Sequence, residues 1–154
     1  MASRDLNKEF HIAINGGRGN DYAKLVELVE LGANVNERAT YGVPVADHRS
    51  ALSQAIIMQN YGLVSFLIDL GADVNQLTRG SGWFPLHCAV ATHYSGKTGL
   101  VIAETLLAHG ANPYLSPRKT TGKGDDETAL EFAIRLNKPE MVSLFLTYAQ
   151  SPPS

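Results

Sequence analysis

An all-α solenoid of four helix-pair repeats with extended loops is the fold class that the sequence predicts, and three observations carry the prediction. The hexapeptide LGANVN at Leu31 to Asn36 returns as LGADVN at Leu70 to Asn75 and, degraded, as HGANPY at His109 to Tyr114. Gly32, Gly71 and Gly110 are thereby spaced 39 residues apart twice, and a fixed period of this size marks units that stack on one another. Each glycine also follows an apolar helical stretch, where the chain must turn into a left-handed conformation to end a helix. The Ala-Asn/Asp-Val-Asn after it suits a turn.

The helices before the glycines read alike in every repeat. Seven, four and three residues upstream stand Leu25, Leu28 and Val29, then Val64, Leu67 and Ile68, then Ala103, Leu106 and Leu107, then Val142, Phe145 and Leu146, the last set counted back from Ala149. That spacing makes one apolar stripe at 3.6 residues per turn, with Glu30, Asp69 and Thr147 outside it. These are the outer, second helices of four pairs. The first helix of each pair is the shorter apolar segment upstream: FHIAI at Phe10 to Ile14, SALSQAI at Ser50 to Ile56, FPLHCAV at Phe84 to Val90 and TALEFAI at Thr128 to Ile134. Ser50 and Thr128 stand where helix N-caps belong, Glu131 completes a capping box with Thr128, and Pro85 suits a first helical turn. The repeats run approximately over 5–36, 37–75, 76–114 and 115–149, forming a single domain over residues 1–150 with a frayed tail, SPPS, at 151–154.

The segments FPLHCAV and TALEFAI resemble the ankyrin-repeat signature Thr-Pro-Leu-His-x-Ala. With the LGADVN-type ends, the resemblance covers roughly residues 6–149. Ala13, Ala55, Ala89 and Ala133 recur in it and let first helices approach closely. His87 fills the histidine slot of the signature in the third repeat, where Ser53 and Glu131 stand in the second and fourth. In that family the slot's role is to hydrogen-bond across neighbouring turns, so His87 reads as structural. Cys88 beside it reads as a small packed thiol without an activating base.

Departures from the pattern lie mostly in loops. An ankyrin repeat runs about 33 residues, whereas the glycine spacing here is 39. The surplus enters as ERATYGVPVADHR between Asn36 and Ser50, as LSPRKTTGKGDDE between Tyr114 and Thr128, and as THYSGKTG between the helices of the third repeat, with a smaller excess around NGGRGNDY in the first. Long loops cost little to close, and on a rigid scaffold they are where binding chemistry collects.

No catalytic constellation emerges. SGKTG at Ser95 to Gly99 resembles the end of a phosphate-binding loop, but Ala91 stands where the motif needs glycine and no strand precedes it. GKGDD at Gly122 to Asp126 lacks the alternating ligands and final glutamate of a calcium loop. Histidines 11, 48, 93 and 109 are scattered without metal-binding spacing. The expectation is therefore no enzyme, no cofactor and no metal.

Composition narrows the class of partner. The 154 residues are 44% hydrophobic and 18% charged, with a formal net charge of -2. A slightly acidic chain without a basic cluster argues against nucleic acid and anionic membrane, whose binding draws on clustered Lys and Arg. The single cysteine fits a reducing compartment. The N-terminus MASRDLNKEF lacks a signal peptide's apolar core, and no apolar run approaches the roughly 20 residues that span a bilayer. The chain reads as cytoplasmic, monomeric when free and complete as four repeats. Polar end helices are expected to cap it, through Asp5, Asn7, Lys8 and Glu9 at one end and Glu140, Ser143, Thr147 and Gln150 at the other.

The resemblance implies a non-catalytic module that binds a partner protein through loop tips and a concave face made with the exposed ends of the first helices. Mapped onto this chain, the slots hold Tyr41, Arg49 and Trp83 on the loop side. At the helix ends stand Ile57 with Met58, Ala91 with Thr92, and Arg135 with Leu136. Glu127 precedes the fourth first helix as Arg49 and Trp83 precede theirs. Ile57 and Met58 are apolar where the family is ordinarily polar, which points either to a contact surface or to cover from the loop Tyr41 to Asp47. Trp83 and Tyr41 fit both accounts, since aromatic residues anchor interfaces and also seal loops. Within the binding class stand two alternatives: an inhibitor or immunity-type protein occluding a toxin or enzyme, and a translocated bacterial effector recruiting a host protein. An enzyme is the reading from another class, because fold alone does not fix function.

Overall fold

The computed structural model describes residues 4–16, 21–39, 49–78, 82–92, 97–117 and 127–150. Among them are eight helices: α1 (Leu6–Asn15), α2 (Tyr22–Glu30), α3 (Ala51–Ile57), α4 (Tyr61–Asp69), α5 (Pro85–Ala91), α6 (Thr98–Ala108), α7 (Ala129–Arg135) and α8 (Pro139–Gln150). They pair as α1/α2, α3/α4, α5/α6 and α7/α8. The first helices then pack in series as α1, α3, α5 and α7, and the second helices α4, α6 and α8 do likewise. This is the four-repeat solenoid that the glycine period predicts.

Local chemistry explains each boundary. The side chains of Ser50 and Thr128 accept hydrogen bonds from the backbone N–H groups of Ser53 and Glu131. Glu131 returns the favour by accepting from the Thr128 N–H at 2.8 Å, completing the capping box. Asp5, Asp21 and Asn60 cap α1, α2 and α4 in the same manner. At the other end, Gly32, Gly71 and Gly110 take φ of 111°, 97° and 92°. Around Gly71 the chain closes a Schellman motif, in which the Gly71 N–H donates to Ile68 O and the Ala72 N–H to Leu67 O. An added Cβ at Gly71 meets nothing within 4 Å, so the conformation itself demands glycine. Gly71→Val is expected to cost about 1–2 kcal/mol through backbone strain alone. An unchanged thermal midpoint would defeat this assignment.

The turn after each glycine is also the clip between repeats. Within the turn, Asn34, Asp73 and Asn112 accept from the backbone two residues on, which fixes its shape. Between turns, the Asn36 side chain accepts from the Asp73 N–H at 2.7 Å and donates to Gly71 O at 3.2 Å. Asn75 repeats both bonds with Asn112 and Gly110. The degraded third copy puts Tyr114 in this slot, and there the clip ends.

The core lies between the two layers of helices. Leu25, Leu28, Val64, Leu67, Ala103, Leu106, Leu107 and Phe145 are buried as their stripe predicts, and so are Ala55, Ala89 and Ala133. At the N-terminal end the polar cap is present. Glu9 pairs with Arg4 and Lys24 with Glu27, in slots where later repeats bury Ala51, Pro85 and Ala129, or Leu63, Ile102 and Met141. The C-terminal end meets the expectation of a polar cap only in part. Ile134 is 58% exposed and Leu146 45%, because no helix pair packs beyond them among the described residues. Glu140, Ser143 and Thr147 are exposed on α8 as expected, and the end face beside them is mixed, with Ile134, Val142 and Leu146 next to Asn137, Lys138 and Ser143.

Candidate functional site

The slots that the sequence nominates for partner contact are set by the first helices. Met58, Thr92 and Leu136 are the residues that end α3, α5 and α7, so they occupy one register position in three successive repeats. Met58 is 43% exposed and Leu136 37%. Ile57, by contrast, is half-buried against the core. Thr92 is tied in twice: its hydroxyl donates to Cys88 O at 2.8 Å, and its carbonyl accepts from the Gln59 side chain. Gln59 was not singled out by sequence. It takes a left-handed φ of 54° at the end of α3, as Asn137 does after α7, and so projects toward the next repeat.

At the opposite ends of these helices, Arg49 and Trp83 precede the capping residues Ser50 and Phe84. Trp83 is half-buried, and its ring lies 5.5 Å from that of Phe132 in the following repeat. Its carbonyl accepts from the Thr78 N–H at 2.8 Å, and the Thr78 carbonyl accepts from the Gly82 N–H at 3.0 Å. Phe132 is in turn covered by the Arg135 guanidinium, 5.0 Å above its ring. Arg135 also forms a two-pronged pair with Glu127 at 2.8 and 3.0 Å. Trp83, Phe132, Arg135 and Glu127 thus form one continuous shelf across two repeats. Phe132 was legible only as part of a helix, because its role depends on the ring that faces it. Tyr41 and the rest of the loop to Asp47 lie outside the described residues, as do Gly122 to Asp126.

The histidine slot behaves as expected and is filled twice. His87 Nε2 donates to Glu127 O at 2.8 Å, while its Nδ1 accepts from the Phe84 N–H at 3.2 Å. His11 stands two residues before Ala13, as His87 does before Ala89, and its Nε2 lies 2.8 Å from Glu37 O. Metal-ligand spacing does not single out His11 among the histidines, and the alignment on Ala13 is the signal that finds it. Burial pushes both rings below their ordinary pKa, opposed by the bonded carbonyls. They are neutral clamps between loops. Burial likewise pushes the Cys88 thiol up to about 12, which removes the thiolate that reactivity needs.

Other motifs resolve as scaffold. Lys97 is the residue before α6, and Thr98 and Gly99 begin that helix; Ser95 and Gly96 lie outside the described residues. Among the described residues, no three His, Cys, Asp or Glu side chains gather where they could hold a metal ion. No described helix is long and apolar enough to cross a membrane.

Comparison with known proteins agrees with this geometry. The profile described as ankyrin repeats (3 copies) matches residues 10–116. The chain is also 34% identical over 111 residues to the RelA-associated inhibitor of Mus musculus, an alignment that spans 72% of this chain and 12% of that protein. With the period, the Schellman glycines, the asparagine clips and the histidine clamps on the page, the chain belongs to the ankyrin-repeat family.

Proposed function

We propose that the chain is a non-catalytic binding module that holds a partner protein on the exposed ends of its first helices and the loop tips beside them. The observation that carries this reading is the row of Met58, Thr92 and Leu136. It places two exposed apolar side chains at a register where a rigid scaffold repeats itself. Exposed aliphatic groups flanked by a charged shelf have the composition of an interface centre with a polar rim. Arg135 supplies that charge next to Leu136, and Arg49, Ile57 and Trp83 extend the surface; Tyr41 is assigned to it from the sequence alone. Trp83 contributes only the exposed part of its half-buried ring, which also packs on Phe132.

An inhibitory role is the finer version of this reading, favoured by the likeness to a protein named for inhibition and association with RelA. In that version the bound partner is switched off by being covered, and no chemistry is asked of the chain. Affinity capture from the source cells, followed by titration of the captured protein and separately of RelA, tests both versions. Met58→Glu or Leu136→Glu is expected to weaken binding by about 2 kcal/mol or more. Charge changes at Glu30 and Asp69 on the second helices should leave it unaltered. Trp83→Ala needs circular dichroism alongside, since it also loosens the Phe132 contact. A folded Met58→Glu protein with native affinity would remove the first-helix face from the interface.

A further inference from the structure

A second surface lies on the other layer of the solenoid, between α6 and α8. There Leu100, Glu104, Glu140, Leu144 and Tyr148 line a cleft of about 690 Å³. Tyr148 also borders a neighbouring hollow of about 350 Å³ that reaches the turn at Tyr114, so the two adjoin at this side chain. Along α8 the stretch from Glu140 to Tyr148 spans roughly 12 Å at the helical rise. The groove has a sequence cause. Ten residues before Gly32 stands Tyr22, and five before Gly71 stands Phe66, and these two rings meet at 4.5 Å to close the gap between α2 and α4. In the corresponding slots before Gly110 and Ala149 the chain has Leu100 and Leu144. Two leucines are too short to replace two rings in contact, and both are left half-buried along an open cleft.

The charged residues that line the groove, Glu104 and Glu140, are both acidic. Lys97 and Lys138 stand just before α6 and α8, outside that lining. Glu104 and Glu140 stand on the rims of the groove itself, one on each wall. An apolar floor between acidic rims selects against acidic segments and against anionic surfaces, and for a ligand with apolar residues flanked by lysine or arginine. Its length and its two parallel helical walls suit a helix laid along it, read through residues at i, i+3, i+4 and i+7.

We infer that the groove between α6 and α8 is a docking site for a basic amphipathic helix of a partner protein, separate from the first-helix face. The probe is a synthetic peptide of about four helical turns with leucines at i, i+3, i+4 and i+7 and lysines on both flanks. A control peptide carries glutamates in place of the lysines. Binding is read by fluorescence anisotropy and by amide shifts in the full chain. The lysine peptide is expected to bind saturably, to shift α6 and α8, and to release as salt rises from about 50 to about 500 mM. Glu104→Lys with Glu140→Lys should weaken it about tenfold, counting a reversed exposed pair on each rim. Leu100→Tyr with Leu144→Phe rebuilds the ring pair found between α2 and α4, and should abolish binding with charge unchanged and the fold intact by circular dichroism. Several results overturn the proposal: no saturable binding, equal binding of the glutamate peptide, or undiminished affinity in the filled variant. Concentration-dependent self-association that the filled variant loses also overturns it, by making a second copy of the chain the occupant.

Discussion

Ile56→Ala is expected to destabilise the fold by about 2–4 kcal/mol, and Ile134→Ala, in the same slot two repeats later, by no more than about 0.5 kcal/mol. Both isoleucines follow the small alanine of a first helix, Ala55 and Ala133, and sequence alone gives them equal standing. The difference is position in the stack. Ile56 is fully buried because α5 packs against α3, as are Ile14 and Val90 in their repeats, whereas Ile134 is 58% exposed. Removing the methylene and methyl groups of Ile56 loses their transfer free energy and leaves a hole that rigid neighbouring helices cannot close. At Ile134 the same groups already touch water. Urea unfolding of both variants measures the contrast. Equal losses would mean that the fourth repeat's face is covered in solution.

The contrast also marks what was legible in the sequence. The caps at Ser50 and Thr128 and the left-handed glycines were readable because each depends on residues within about one turn of one another, and the period and the pairing of helices because the same local pattern returns along the chain. The asparagine clips were not. Asn36 and Asn75 show only as the same letter in two copies of the hexapeptide, and their bonds cross to residues some 35 positions away. Exposure at the C-terminal end escaped the same logic, since counting polar residues on α8 says nothing of which face they occupy. For the candidate site, the sequence located Met58, Trp83, Arg135 and Leu136 in their slots but could not foresee the sharing of Phe132 between Trp83 and Arg135. Such a shelf depends on two repeats stacking in register. The groove between α6 and α8 was invisible for a related reason: a cleft is defined by the aromatic pair it lacks.

His87→Ala is expected to destabilise the chain by about 2–4 kcal/mol at neutral pH and to reduce its loss of stability in acid. The ring satisfies two backbone groups at once, accepting from the Phe84 N–H and donating to Glu127 O. The first belongs to the residue before α5 and the second to the residue before the Thr128 cap of α7, so one side chain sets the distance between consecutive loops. Truncation leaves the buried Phe84 N–H without its acceptor and opens a gap beside Phe132, whose ring lies 6.0 Å away. The acid dependence follows from the same bonds. Burial opposes the charge and outweighs the Glu127 carbonyl, so the folded pKa lies below the ordinary 6.5, and a protonated ring, donating from both nitrogens, can no longer accept from Phe84. As pH falls through 6.5 the unfolded chain takes up the proton first. Stability contributed by the neutral ring is therefore full above that pH, declines as pH drops toward the folded value, and levels off below it. The slope in this window is at most about 1.4 kcal/mol per pH unit for each histidine, and His11, lowered by the same burial, adds its own share. Urea titrations at several pH values between about 7 and 4 should show a shallower decline in His87→Ala and a shallower one still when His11→Ala is added. A double variant that keeps the native acid dependence would place the titrating groups elsewhere and strip both histidines of the clamp role.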